Sequence, residues 1–93
     1  MVGAPVLTYL QFIGSNVQRL RARKGLTQEK MAEAADLDVR FLRRVERGSV
    51  MLRFDTFVRL AVALDVEPGV LLRRVKVAPA KPGRPRRPRP TTR

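Results

Sequence analysis

The stretch TQEKMAEAADLDVRFLRRVERG, residues 27–48, decides the fold of this chain. It predicts two short helices joined by a tight turn, with Thr27 capping the first helix and Asp38 capping the second. Asp36 falls where the backbone must reverse, and Asp tolerates the left-handed conformation better than most residues do. Gly48 can end the second helix. That helix is apolar on one side and basic on the other, where it carries Arg40, Arg43, Arg44 and Arg47.

A helix with an arginine-rich outer face fits the major groove of duplex DNA. The charge of the whole chain agrees with that use. The formal charge of the 93 residues is +12, and residues 81–93 supply +6 of it with no acidic residue. Such an excess predicts a polyanionic partner, either nucleic acid or an anionic membrane surface. No apolar run approaches membrane-spanning length. The arginine-rich helix makes double-stranded DNA the expected partner.

The residue types that are missing exclude several function classes. The chain has no Cys and no His, so thiolate metal sites and the usual general base are absent. It also lacks a Gly-rich phosphate loop and a pair of acids placed for acid–base work. We therefore expect no enzyme, cofactor, metal or small-molecule substrate. The N-terminus has no basic segment ahead of its apolar residues, so a cytoplasmic, nucleoid-associated protein is expected.

Apolar periodicity predicts further helices on both sides of residues 27–48. The first spans about residues 8–24, with Thr8 as its N-cap and Gly25 at its end. The fourth follows Arg53 or Asp55. The inward faces of these two helices are formed by Leu10, Ile13, Val17 and Leu20, and by Phe57, Leu60, Ala61 and Leu64.

Pro68 starts a short fifth helix, so the expected fold is an all-α, compact five-helix bundle. Residues 75–77 are expected to extend briefly as an edge strand. After Ala78 prolines alternate with arginines, which forbids helix and favours an extended, solvated chain. The predicted division is a DNA-binding domain at residues 1–77 and a disordered Arg/Pro-rich tail at residues 78–93.

Three segments resemble the helix-turn-helix domains of phage repressors and XRE-type bacterial regulators. They are RLRARKGLTQEKMA at 19–32, FLRRVERG at 41–48, and LAVALDV at 60–66 followed by Leu71-Leu72. The resemblance implies a five-helix bundle in which helices 2 and 3 read DNA. It also implies a homodimer on a two-fold related operator, with half-sites roughly 34 Å apart. The chain departs from the family pattern at Asp36, at Asp38, in the apolar loop 50–52 and in the basic tail.

The resemblance and the chemistry of arginine together predict base contacts from Val39, Arg40 and Arg44. Arginine can donate two parallel hydrogen bonds to guanine O6 and N7, worth roughly 1–3 kcal/mol of discrimination. The alternative for Arg40 and Arg44 is a solvated basic face. Val39 is expected to be exposed, where it could meet a thymine methyl group or act as a neutral spacer.

Phosphate contacts are expected from Gln28, Arg43, Arg47 and Arg53. Gln28 lies in the first turn of helix 2, where free backbone N–H groups favour an anion. Its alternative role is as a capping partner for Thr27. The resemblance further implies an internal ion pair between Arg21 and Glu46, which we expect to be structural.

The segment KPGRPRRPRP, residues 81–90, resembles the AT-hook, a short minor-groove binder. Gly83-Arg84-Pro85-Arg86 matches its core, although Pro82 stands where a basic residue usually precedes the Gly. Arg84, Arg86, Arg87 and Arg89 are therefore expected to contact the minor groove, or phosphates as a nonspecific basic arm.

The leading hypothesis is a sequence-specific regulator of transcription that occupies an operator. One alternative is an antitoxin-like or partner-docking protein, which the apolar loop 50–52 favours. Another is an architectural protein that coats or bends DNA with little sequence preference. The apolar residues Tyr9, Phe12, Val50, Met51 and Leu52 either complete the core or form a dimer surface.

Overall fold

A computed structural model of the chain describes residues 3–76, and the side chains of residues 5–76. These residues form four α-helices: α1 (Gly3–Arg23), α2 (Gln28–Ala35), α3 (Val39–Glu46) and α4 (Phe54–Leu64). A single 3₁₀ turn, Pro68–Leu72, follows α4, and residues 3–76 contain no strand. The predicted all-α class is confirmed. Residues 77–93 lie outside the described part of the chain, and with them the whole of the predicted tail.

The prediction of five α-helices is wrong, because the fifth element is only a five-residue 3₁₀ turn. Pro68 lacks an N–H and Gly69 is a poor helix former, so the segment has little intrinsic tendency to form a longer helix. Only Leu71 of this turn is buried, which gives it one apolar anchor. The predicted edge strand is also wrong for residues 75 and 76, because the described residues offer no strand for pairing.

Helix α1 starts earlier than the sequence predicted. It begins at Gly3, so Thr8 lies inside the helix and cannot be its N-cap. The first turn contains Pro5, which is compatible with helix at that position because the leading N–H groups have no intrahelical partner. The predicted end is confirmed: Gly25 has a φ of +73°, and the Leu26 N–H closes the helix on the Arg21 carbonyl at 3.0 Å.

The capping predictions for the helix-turn-helix segment are confirmed. Thr27 Oγ1 accepts a 3.0 Å hydrogen bond from the Lys30 N–H, and Asp38 Oδ1 accepts one of 2.7 Å from the Arg40 N–H. Asp36 adopts the left-handed conformation with a φ of +58°, and Gly48 ends α3 with a φ of +70°. Local sequence chemistry therefore fixes both ends of the turn between α2 and α3.

The inward faces of all four helices meet in one core. The residue that precedes α4 is Arg53, which was one of the two predicted alternatives, Arg53 and Asp55. Phe41 and Phe57 are only half-buried at the edge of the core. The largest fully buried side chains are Asn16, Val17, Met31, Leu42, Leu60, Leu64 and Leu71. None of the helices in residues 3–76 combines the length and the apolar composition that a membrane span requires.

Two glycines allow α1 to approach the C-terminal end of α3. A Cβ atom added to Gly14 would lie 2.8 Å from the Glu46 carbonyl oxygen, and it would also collide with the carbonyl of Val45. A Cβ atom on Gly48 would lie 2.9 Å from Cα of Gln11. Both contacts are with backbone atoms, which cannot move away as a flexible side chain can. The absence of a side chain at these two positions therefore sets the distance between α1 and α3.

Candidate nucleic-acid interface

Helix α3 buries one face and exposes the other. Leu42 and Val45 are in the core, whereas Arg40, Arg44 and Arg47 are exposed. Within residues 5–76, neither Arg44 nor Arg47 has an ion-pair partner. Their guanidinium groups are therefore available to an external anion or to a base edge.

Arg40 is exposed but paired. Its Nε and Nη2 donate to Oδ1 and Oδ2 of Asp38 at 3.3 Å and 3.2 Å. This side-chain hydrogen bond lowers the pKa of Asp38 below its ordinary value and raises the pKa of Arg40. The pairing was not expected from the sequence, where Asp38 was assigned only as a cap.

Gln28 connects α2 to α3. Its Nε2 donates to Oε1 of Glu46 at 3.0 Å, and its Oε1 accepts from Nε of Arg43 at 3.2 Å. Arg43 also donates through Nη2 to Glu29 at 3.3 Å. Thr27 instead accepts its capping bond from the backbone of Lys30, so Gln28 is engaged across the two helices rather than in the cap.

Arg21 of α1 and Glu46 of α3 form an ion pair through two hydrogen bonds. Nε of Arg21 donates to Oε2 of Glu46 at 2.6 Å, and Nη2 donates to Oε1 at 3.2 Å. The remaining nitrogen, Nη1, donates to the Leu26 carbonyl at 2.8 Å. Because Glu46 also accepts from Gln28, one carboxylate links α1, α2 and α3.

The two other predicted contact residues lie in different surroundings. Val39 is half-buried and packs against the core, so the expectation that it is exposed is wrong. As the first residue of α3, it lies where the helix leaves the turn and still touches the interior. Arg53 is exposed at the start of α4, where its Nε donates to Oδ1 of Asp55 at 3.1 Å.

Asn16 is a structural residue that the sequence reasoning missed. Its side chain is fully buried, and its Nδ2 donates to the carbonyls of Leu71 and Arg73, each at 3.0 Å. Arg19 donates to its Oδ1 at 2.8 Å. Its position three residues after Ile13, on the apolar face of α1, was the available signal.

The five apolar residues that were expected either to complete the core or to form a dimer surface differ in their exposure. Phe12 is buried in the core and contacts Tyr9 edge-on, with ring centroids 5.3 Å apart. Tyr9 and Met51 are exposed, whereas Val50 and Leu52 are half-buried. The exposed residues border an apolar groove of about 540 Å³, which is lined by Pro5, Val6, Tyr9, Leu10, Ile13, Met51, Leu52, Phe54, Phe57 and Leu72. We call this surface the apolar groove.

Several known proteins are similar to this chain. The HTH-type transcriptional regulator y4dJ of Sinorhizobium fredii is 39% identical over 56 residues, which are 60% of this chain and 73% of that protein. The solved structure of the restriction-modification controller protein C.AhdI from Aeromonas hydrophila is 39% identical, with a TM-score of 0.64. The match covers 67% of this chain and 94% of C.AhdI.

The clp gene regulator ClgR from Corynebacterium glutamicum has a similar structure, with a TM-score of 0.66 at 25% identity. That match covers 69% of this chain and 68% of ClgR. The helix-turn-helix family model HTH_3 matches residues 17–71, which is more than half of the chain. The match begins within α1 and ends in the 3₁₀ turn, so it includes the whole of α2, α3 and α4. The chain therefore belongs to the XRE-type helix-turn-helix family of DNA-binding transcriptional regulators.

Proposed function

We propose that this protein is a sequence-specific regulator that occupies an operator with α3 in the major groove. The observation that carries the proposal is the outer face of α3, where Arg40, Arg44 and Arg47 are exposed on a helix whose other face is held in the core. A rigid helix with exposed arginines suits groove recognition, because the backbone from which these side chains project is already fixed before DNA binds.

In this proposal Arg40 and Arg44 contact bases, together with the accessible part of Val39. Arg44 has no ion-pair partner among the described residues, so either edge of its guanidinium is free to donate to guanine O6 and N7. Arg40 must act while paired with Asp38. Bidentate contacts of this kind each contribute about 1–3 kcal/mol of discrimination.

Phosphate contacts are proposed for Arg47, Arg43, Arg53 and Gln28. Arg47 is unpaired among the described residues, so it is the strongest of the four candidates. Gln28 uses one amide hydrogen on Glu46, and the second amide hydrogen is left for a phosphate oxygen. Arg43 and Arg53 each have an acidic neighbour, which reduces the net positive charge they present to DNA.

We further propose that a second copy of the chain covers the apolar groove and that the dimer binds a palindromic operator. No residue lining the groove is charged, although the chain carries a formal charge of +12. Two copies can therefore meet there without opposing like charges, in a self-complementary contact about a two-fold axis. Met51 and Phe54 lie just after α3 in the chain, so this contact would lie near the reading helices.

The basic tail is proposed to add contacts beside the operator. Residues 1–77 would form the domain that reads sequence, and the arginines of residues 78–93 would bind the minor groove or phosphates. The support for this part is the sequence GRPR at 83–86 and the absence of any acid in residues 81–93.

Selection of duplexes from a random pool by the full chain tests the proposal. We expect enrichment of a two-fold related sequence with half-sites about one helical turn apart. Sedimentation of the free protein should show a dimer, and charge placed in the apolar groove by Met51→Glu should reduce dimer formation. Recovery of a random, unselected pool would support a weakly specific architectural protein instead.

The apolar groove also favours a second candidate, an antitoxin-like or partner-docking protein of the same fold. A partner helix or loop of apolar composition would then cover the groove. In that case the full chain would co-purify with another protein, and DNA affinity would be lost in the complex. Met51→Glu would abolish the co-purification.

A further inference from the structure

Asp38 has two functions at the start of α3. Its Oδ1 accepts the backbone N–H of Arg40 at 2.7 Å and so caps the helix. The same carboxylate engages the side chain of Arg40 through Nε and Nη2, at 3.3 Å and 3.2 Å. One acid therefore holds both the backbone and the guanidinium of a residue that is proposed to contact a base.

The geometry of the guanidinium determines what remains free. The group is planar and carries five N–H donors, and Asp38 takes one on Nε and one on Nη2. The opposite edge, formed by Nη1 and the second hydrogen of Nη2, presents two parallel donors. That edge has the spacing that matches O6 and N7 of guanine. Pairing with Asp38 therefore leaves the guanine-reading edge of Arg40 unoccupied.

The pairing also changes the charge that Arg40 brings to DNA. Arg40 and Asp38 together are neutral, so the pair adds little to the general attraction between protein and phosphates. The carboxylate of Asp38 is ionised at neutral pH, and the side-chain hydrogen bond from Arg40 lowers its pKa further below the ordinary value. Both side chains are largely exposed, at 79% for Arg40 and 54% for Asp38, so the pair lies on the surface of α3.

We propose that Asp38 is a specificity-determining residue that orients Arg40 for guanine and disfavours binding through phosphate contacts alone. This inference rests on the proposed function, since it requires α3 to meet base edges. Asp38 acts as a positioning residue, because the contact with the base is made by Arg40. Its carboxylate reduces the affinity for DNA of any sequence, and it increases the preference for guanine at the operator position that Arg40 contacts.

The experiment compares full-length wild type with Asp38→Ser and Asp38→Asn on selected duplexes and on random duplex. Ser and Asn both retain capping ability, so α3 should keep its start. We expect wild type to prefer guanine at one position of each half-site by about tenfold over other bases. Both variants should lower that ratio at least threefold, yet bind random duplex more tightly than wild type does. A merely structural role would weaken binding to both kinds of DNA.

Two controls test whether the change in base preference is specific to Asp38 and whether it requires Arg40. Asp55→Asn removes another exposed acid that pairs with an arginine, Arg53, but it lies outside α3. It should leave the guanine ratio unchanged. In an Arg40→Ala background, Asp38→Ser should no longer alter base preference, because the oriented group is gone.

The possible failures are distinguishable. If wild type selects no sequence, the proposed function fails and this inference fails with it. If wild type selects a sequence and Asp38→Ser keeps the same guanine ratio, only the role of Asp38 is overturned. A change of base preference by Asp38→Ser that persists without Arg40 would also overturn it.

Discussion

Arg21 in α1 and Glu46 at the end of α3 are joined by hydrogen bonds of 2.6 Å and 3.2 Å. Their side chains are only 15% and 4% exposed, so the pair is largely shielded from water. Glu46 also receives the amide of Gln28 from α2. The orientation of α3 is therefore coupled to both preceding helices through a single carboxylate.

Glu46→Ala should destabilise the protein by about 3 kcal/mol, because removal of one partner leaves the guanidinium of Arg21 poorly solvated and uncompensated. Urea unfolding followed by circular dichroism measures this loss. The double variant Arg21→Met/Glu46→Leu should recover much of it, since apolar residues of similar volume can replace a shielded pair. Exposed ion pairs usually contribute no more than about 1 kcal/mol to stability. A loss of stability below about 1 kcal/mol in Glu46→Ala would therefore contradict the structural role of the pair.

Gly14→Ala should destabilise the fold by about 1–3 kcal/mol, because its methyl group would meet backbone carbonyls at the end of α3. Gly69→Ala is the matched control, since a Cβ there would meet no atom within 4 Å. Thermal unfolding of both variants checks the prediction. Equal melting temperatures would show that α1 and α3 do not approach as closely as described.

Arg44→Ala should change the preferred base at particular operator positions, whereas Arg47→Ala should weaken binding to every sequence by a similar factor. The reason is that base contacts carry sequence information and phosphate contacts do not. Competition binding with single-position operator variants measures both effects. Uniform loss in both variants would remove Arg44 from the set of base contacts.

Deletion of residues 79–93 should lower DNA affinity and flatten its dependence on salt, because six basic residues are removed with no acid. The preferred major-groove sequence should stay the same. Binding measured between about 50 and 200 mM salt gives the slope. An unchanged slope would show that the tail makes no contact with DNA.

The pKa of Asp38 should be measured below its ordinary value of 3.8, since the hydrogen bond from Arg40 favours the carboxylate. The contribution of this bond to stability is then present above pH 3.8 and is lost as the pH falls through the lower, folded-state pKa. Titration of the carboxyl carbon by NMR gives the value. Arg40→Ala should raise that pKa, and a titration unaffected by this change would place the cause elsewhere.

The parts of the fold that follow from neighbouring residues could be predicted from the sequence. Thr27, Asp38 and Gly48 act through hydrogen bonds or backbone angles within a few residues, so their spacing was enough. The start of α1 at Gly3 could not be predicted in the same way. Thr8 was a good local cap candidate, yet the helix continues past it through Pro5, Val6 and Leu7, whose side chains are exposed.

The geometry of the candidate site depends on contacts between distant residues, which one sequence does not reveal. The close approach at Gly14 requires knowledge of where α1 crosses α3. The half-burial of Val39 likewise depends on how the first turn of α3 meets the core. The exposure of Arg44 and Arg47 followed from helical periodicity alone, because both lie opposite Leu42 and Val45.

The buried amide of Asn16 has a consequence beyond packing. By holding the carbonyls of Leu71 and Arg73, it anchors the chain to α1 immediately before the basic tail begins. Arg89 lies thirteen positions after Lys76, and even a fully stretched chain of that length reaches only about 43 Å. On the proposed operator, the tether would confine those arginines to DNA within roughly one to two helical turns of the anchor.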